Sequence, residues 1–107
     1  MKILFDMHYV ICYDLENDRL RDRVVKLLER NGCRRIQKSV FAAPDLGKKH
    51  FVKLQLALRQ LFARRPMTAG DSLYFIPLPE EYAPDITVIG CNNILPALEE
   101  KPLKIML

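Results

Sequence analysis

Among 107 residues there are only three cysteines, Cys12, Cys33 and Cys91, and no CxxC pair. That count excludes a disulfide framework and a cysteine zinc site, and it fits free thiols in a reducing compartment. Cys12 reads as a core residue and Cys91 as a loop thiol. The two histidines, His8 and His50, stand alone. No HxxxH or His-Cys spacing suits a ligand set, so both are expected at the surface. No Gly-rich phosphate loop occurs. No cysteine and histidine arrangement argues for nucleophilic catalysis. Apolar runs are only a few residues long, which excludes a membrane-spanning helix. No basic stretch followed by a long apolar one opens the chain, so no secretory signal is expected and the location expected is cytoplasmic.

What is present is a chain that can fold. Its length fits one domain, and a chain of this size buries roughly 65% of the surface its unfolded form exposes. Half the residues are apolar, which argues against disorder. The net charge of +4 conceals an asymmetry. Residues 1–65 carry 15 basic and 7 acidic side chains, whereas residues 66–107 carry 2 and 6. Segregation of this kind suggests either one face that meets a polyanion or a solvated helical surface.

Tyr9 to Tyr13 is β-branched and aromatic on both parities, which predicts a strand buried on both faces and ending at Asp14. Leu20, Val24, Leu27 and Leu28 then share one helical face over 17–31. Asn17 or Asp18 caps its start and Gly32 closes its end. Arg34 to Phe41 suits a strand, with Pro44 and Gly47 marking its exit; the stretch 37–47 can alternatively fold back as a hairpin. A second helix is expected over Lys48 to Arg65, with Phe51, Leu54, Leu58, Leu61 and Phe62 as its apolar stripe. It holds six basic residues and no acidic one. Asp71 to Leu78 reads as a strand with Pro77 at its end or at a sheet edge. Pro79 to Pro84 reads as a stiff linker, Ile86 to Gly90 as a further strand, and the tail as a marginal turn around Leu98. The pattern is α+β: a ferredoxin-like βαββαβ core over about 7–90 with an additional C-terminal strand, followed by a tail over 91–107. Two helices cover one sheet face only. An apolar opposite face is resolved most simply by a homodimer packed sheet on sheet.

The residues that carry a family resemblance are Tyr-Val-Ile-Cys-Tyr-Asp at 9–14, the Arg-rich helix ending in Asn-Gly, Arg-Arg-Ile-Gln-Lys-Ser-Val-Phe at 34–41, Asp-Ser-Leu-Tyr-Phe-Ile-Pro-Leu at 71–78 and Ile-Thr-Val-Ile-Gly at 86–90. In this order the chain resembles the CRISPR-associated Cas2 family of small ferredoxin-like proteins. The resemblance implies a homodimer whose last strand crosses to the partner's sheet. It implies a metal-dependent endonuclease acting on single-stranded RNA or double-stranded DNA. It also implies a central dimer that bridges integrase subunits in spacer capture, with DNA across its basic surface. Members of that family usually begin within two or three residues of the first strand, so Met1–Asp6 is expected to be extra: either translation can begin at Met7 or Ile3-Leu4-Phe5 packs as an add-on. The tail after Gly90 is a candidate for docking the integrase.

Asp14 is the central candidate. One carboxylate is a poor Mg²⁺ site, but two Asp14 side chains across a twofold axis can share Mg²⁺ or Mn²⁺ with waters. The plainer alternative is that Asp14 starts a turn or caps the helix. Asp14 matches the family's metal-binding and catalytic aspartate. Arg21, Arg23 and Arg35 match family arginines that affect activity. With Arg19 and Lys38 they form the expected nucleic-acid contacts, since guanidinium forks fit phosphate; the alternative is a solvated face. Phe41 matches a family aromatic implicated in activity and can stack on a base, although a core or interface phenylalanine is the plainer reading. Ser39 is expected on the same strand face as Phe41, and Tyr13 is similarly ambiguous. Three functions fit: the metal-dependent nuclease, a non-catalytic nucleic-acid-binding assembly subunit, and a toxin-type RNA nuclease on the same fold.

Overall fold

The computed structural model describes residues 7–90. Six elements build a two-layer α+β fold: β1 Met7–Asp14, α1 Asp18–Arg30, β2 Arg34–Gln37, β3 Val40–Ala43, α2 Lys48–Arg64 and β4 Ser72–Pro79. The four strands form one sheet in the order β2-β3-β1-β4. Every neighbouring pair is antiparallel. A 3₁₀ helix, Glu80–Asp85, follows β4.

Local chemistry sets these boundaries. Asn17 caps α1 by accepting the Leu20 N–H on Oδ1 at 2.9 Å. At the other end Gly32 takes a left-handed φ of 84°. The Cys33 N–H then reaches the Leu28 carbonyl and the Gly32 N–H reaches that of Glu29, which satisfies two carbonyls the helix leaves over.

The helices cover the sheet face made by Tyr9, Ile11 and Tyr13 of β1 with Phe41 and Ala43 of β3, as the register Ile11↔Phe41 and Tyr9↔Ala43 requires. Ile11, Val24, Leu28, Phe41 and Leu54 are fully buried. Each such side chain contributes about 1.5–3 kcal/mol over its exposed state. Tyr9, Phe51 and Phe75 pack at the α2 edge, with Tyr9 stacked on Phe51 at 4.4 Å between ring centroids.

The opposite parity faces away from both helices. Val10 pairs with Ala42 and Ile76, and Cys12 with Val40 and Tyr74. Tyr74 is 61% exposed and Ile76 45%. Cys12 is half-buried on this open face, which corrects its expected place in the core.

Of the two readings of the stretch after Gly32 the hairpin is the one that forms, and three further expectations are corrected. The segment after Gly32 is a hairpin, β2 and β3 joined through Lys38 and Ser39, because Gln37 pairs back onto Val40. Ser39 therefore sits in the turn rather than on a strand face with Phe41. His8 is buried, not at the surface: at 2% exposure its Nδ1 accepts the Asp45 N–H at 2.9 Å. The stretch read as a stiff linker winds into the 3₁₀ helix. Ile86 to Ile89 joins no sheet within the chain; the ladder expected for it is on a partner's sheet. Four β-branched residues favour extension, and Ile86 is extended, but a strand also needs a ladder partner. Pro77 lies in β4, an edge strand, where a residue without an N–H is tolerated. Met1–Asp6, Cys91, the turn near Leu98 and the tail lie outside the described residues.

Candidate functional site

β1 ends at the sheet's rim, and the chain there turns through Leu15–Asn17 into α1. Leu15 is buried and anchors the turn. The Arg21 guanidinium reaches back to donate from Nη1 to the Leu15 carbonyl at 2.7 Å, and it pairs with the Asp18 carboxylate. The backbone immediately after Asp14 is therefore held by an arginine one helical turn further on.

On the other side the β2–β3 turn closes over the same place. The Lys38 carbonyl accepts two hydrogen bonds, from Tyr13 Oη at 3.1 Å and from Arg35 Nη2 at 2.9 Å. The Tyr13 N–H donates to the Ser39 carbonyl. Arg35 also lies over the Phe41 ring, 5.6 Å from its centroid, a cation–π geometry.

These elements enclose an open cleft of about 310 Å³ lined by Asp14, Arg21, Arg35 and Lys38 with Tyr13 and Ser39. Asp14 is exposed on its rim. One carboxylate and three cations thus converge on one opening. Guanidinium groups have five donors in a fixed fork, so both arginines keep donors for a phosphate after making their internal bonds.

Not every candidate residue gathers here. Arg23 lines a separate groove between α1 and α2, and Arg19 is exposed without lining the cleft. Phe41 is fully buried beneath Arg35, so stacking on a base is sterically closed to it; its ring supports the guanidinium instead. Asp14 caps nothing, because Asn17 holds that position.

Asp71 is a positioning residue that the residue pattern did not single out. Its Oδ1 accepts the Glu16 N–H at 3.0 Å, and its Oδ2 accepts the Thr68 N–H and hydroxyl at 2.9 and 3.2 Å. The backbone N–H donors of Thr68 and Glu16, in that order, hold the carboxyl below its ordinary pKa. Asp71 thereby ties the loop before β4 to the turn that carries Asp14. The partners lie 55 residues apart, and nothing in local spacing reports such a contact.

Among the described residues no group of three or more His, Cys, Asp and Glu is placed to hold a metal. Asp14 by itself offers oxygen ligands of the right hardness for Mg²⁺, an ion that keeps several waters and is commonly held by one or two carboxylates with substrate phosphates. The donor chemistry fits, and the ligand count asks for a second carboxylate.

The family model for CRISPR associated protein Cas2 matches residues 7–85. The chain belongs to the Cas2 family. A CRISPR-associated endoribonuclease Cas2 of Synechocystis sp. is 38% identical over 82 residues, covering 77% of this chain and 83% of that protein. A crystal structure of Cas2 superposes with a TM-score of 0.62 at 26% identity, covering 81% and 90% of the two chains. A chain of a partial Cas6-RT-Cas1–Cas2 complex superposes at 0.66 with 25% identity, covering 78% and 84%. The matched span begins at β1, ends with the 3₁₀ helix and includes every cleft residue. Among the described residues no helix is long and apolar enough to cross a membrane.

Proposed function

We propose that this Cas2 protein is a Mg²⁺-dependent endonuclease of single-stranded RNA or double-stranded DNA that works as a homodimer. The observation that carries the proposal is the cleft itself: an exposed carboxylate at the end of a strand, beside Arg21, Arg35 and Lys38. Asp14 also has the parity of Val10 and Cys12 along β1, the parity of the open sheet face. A twofold axis across that face sets the two Asp14 side chains on the same interface. The pair supplies the second carboxylate. When bound, Mg²⁺ or Mn²⁺ in that position polarises a phosphate and activates water.

The remaining steps belong to the chain. Arg35, propped on Phe41 and tied to the Lys38 carbonyl, presents its free donors to a non-bridging phosphate oxygen. Arg21 presents its own while holding the Leu15 carbonyl, so one side chain both binds and positions. Lys38 adds a mobile charge at the mouth. These cations offset the charge that develops on the phosphate in the transition state.

Two exposed features support the dimer. The open sheet face presents Tyr74 and Ile76, and Ile89 is 96% exposed just beyond the 3₁₀ helix. An isolated chain would leave this apolar surface in water. In a sheet-on-sheet dimer the Ile86–Ile89 segment, which leaves the 3₁₀ helix extended at Ile86, is available to pair with the partner's edge.

A second reading, a non-catalytic subunit of an integrase assembly, is favoured by the structural likeness to a chain of a Cas1–Cas2 complex. The two are separated by Asp14→Ala (D14A). With RNA and duplex DNA, the nuclease reading predicts that this change and chelation of Mg²⁺ each abolish cleavage. Undiminished cleavage by rigorously purified D14A protein overturns it. Spacer acquisition that persists in D14A cells identifies the assembly role as the biological one.

A further inference from the structure

A groove of about 430 Å³ runs between α1 and α2 and shares no residue with the Asp14 cleft. Leu27, Ala57 and Leu61 make an apolar floor, half-buried or buried. Arg23, Lys26 and Arg30 of α1 and Arg64 of α2 stand exposed around it. No acidic residue lines the groove, and none of these four side chains pairs or hydrogen-bonds with another described residue. Four uncompensated like charges are a standing cost to the fold. An occupant that answers both parts of this surface is apolar along one side and acidic beside it.

The chain itself carries such a segment beyond Gly90. Ile94 and Leu95 precede Leu98 by four and three residues, the spacing of one helical face, and Glu99 and Glu100 follow directly. Pro96 is compatible with the first turn of such a helix. These two glutamates are the only acidic residues after Asp85; Lys101 and Lys104 come after them. Position and reach fit as well. The Leu46 N–H bonds the Met7 carbonyl at 3.0 Å and Met7 pairs with Pro79, so α2 starts at the sheet end where the chain leaves β4. His50 meets Asn31 at 3.2 Å, which brings the Arg30 end of the groove to that same end. Eight residues, 86–93, separate the 3₁₀ helix from Ile94, and they span up to about 28 Å. Rising one packed layer, about 10 Å, and crossing α2, about 10 Å wide, falls within that length.

We propose that residues 94–100 of this chain dock in the α1–α2 groove, with Ile94, Leu95 and Leu98 on its floor and the two glutamates against its cations. The segment enters at the Arg30 end. Glu99 lies five residues beyond Ile94, about 7.5 Å of helix, and Lys26 lies about 6 Å along α1 from Arg30. The carboxylates therefore arrive beside Lys26, with the guanidinium forks of Arg23 and Arg64 just beyond. The docked tail is an internal counter-charge, and it closes the groove to other ligands. Pairing of Ile86–Ile89 with a partner's edge leaves the occupant unchanged, because each protomer supplies the same stretch. The inference depends neither on Asp14 nor on any cleavage.

Two measurements on the full chain test this. A water-soluble carbodiimide joins a lysine amine to a carboxylate in direct contact, and peptide mass spectrometry identifies the pair. A link from Lys26 to Glu99 or Glu100 is expected, and it is lost in E99Q/E100Q. Backbone NMR compares the wild type with E99K/E100K and with L98D, none of which alters residues 7–90. Both variants release the tail, so the amides of Leu27, Ala57, Leu61 and Arg64 shift in both, and in the same direction. Absence of a Lys26 link to either glutamate overturns the proposal, including the case in which both glutamates link only to lysines outside the groove. Groove amides that stay unmoved in either variant overturn it equally.

Discussion

Ile76→Asp (I76D) puts the open sheet face to its sharpest test. Ile76 sits at the middle of β4 opposite Val10 and is 45% exposed. Its side chain points away from both helices, so the change leaves the core of the single chain intact. Burying an isoleucine fully contributes about 1.5–3 kcal/mol, and nearly half of that, about 1 kcal/mol, remains to be gained at an interface. Twofold symmetry counts the loss twice, for about 2 kcal/mol. A desolvated carboxylate in each protomer adds several kcal/mol more. The apolar term alone weakens the dimer about thirtyfold. Sedimentation velocity over a dilution series measures this directly, with circular dichroism as the check on folding. A well-folded I76D protein that stays as dimeric as the wild type refutes the sheet-on-sheet arrangement.

Three other outcomes follow from particular contacts. Phe41→Leu removes the platform under Arg35 without opening the core fully, and is expected to cost about 1–1.5 kcal/mol in urea unfolding with cleavage per folded molecule falling only severalfold; complete loss of cleavage at unchanged stability would restore a direct role for the ring. Burial pushes the Cys33 thiol up to about 12, so in Cys91→Ser protein a maleimide should label Cys12 and spare Cys33, and I76D should speed Cys12 labelling; equal labelling of both thiols contradicts the assigned burial. Asp71 is held below its ordinary pKa by backbone donors, so its stabilisation is complete above about pH 4 and is lost as acidification passes its folded value. Melting temperatures of Asp71→Asn should accordingly fall less steeply than wild type between pH 5 and 3, in the range of about the carboxylate pKa, and parallel curves would exclude Asp71 as a tie.

Much of the fold was legible because its periodicities are local. β1 is apolar on both parities, Leu20, Val24 and Leu28 recur on one helical face, and Asn17 and Gly32 mark the ends of α1 by their backbone chemistry. What escaped depends on contacts distant in sequence. His8 has no apolar pattern of its own, yet the Asp45 N–H makes its burial possible. Ile86–Ile89 has every strand propensity and no ladder within the chain. The cleft was half legible: Asp14, Arg21, Arg35 and Lys38 do converge, since the β1 end, α1 start and β2–β3 turn meet at one rim. Arg23, only two residues after Arg21, faces the groove between the helices, because two positions turn a helix about halfway round.

The central claim is that two Asp14 carboxylates, one from each protomer, act on one phosphodiester. Subunit mixing tests it most directly. Wild-type and D14A protein are exchanged in equal amounts, and cleavage is compared with an equal total of wild type. If both carboxylates are required, only wild-type homodimers are active and about a quarter of the activity remains. If each Asp14 acts alone, about half remains, and the shared-carboxylate site is contradicted.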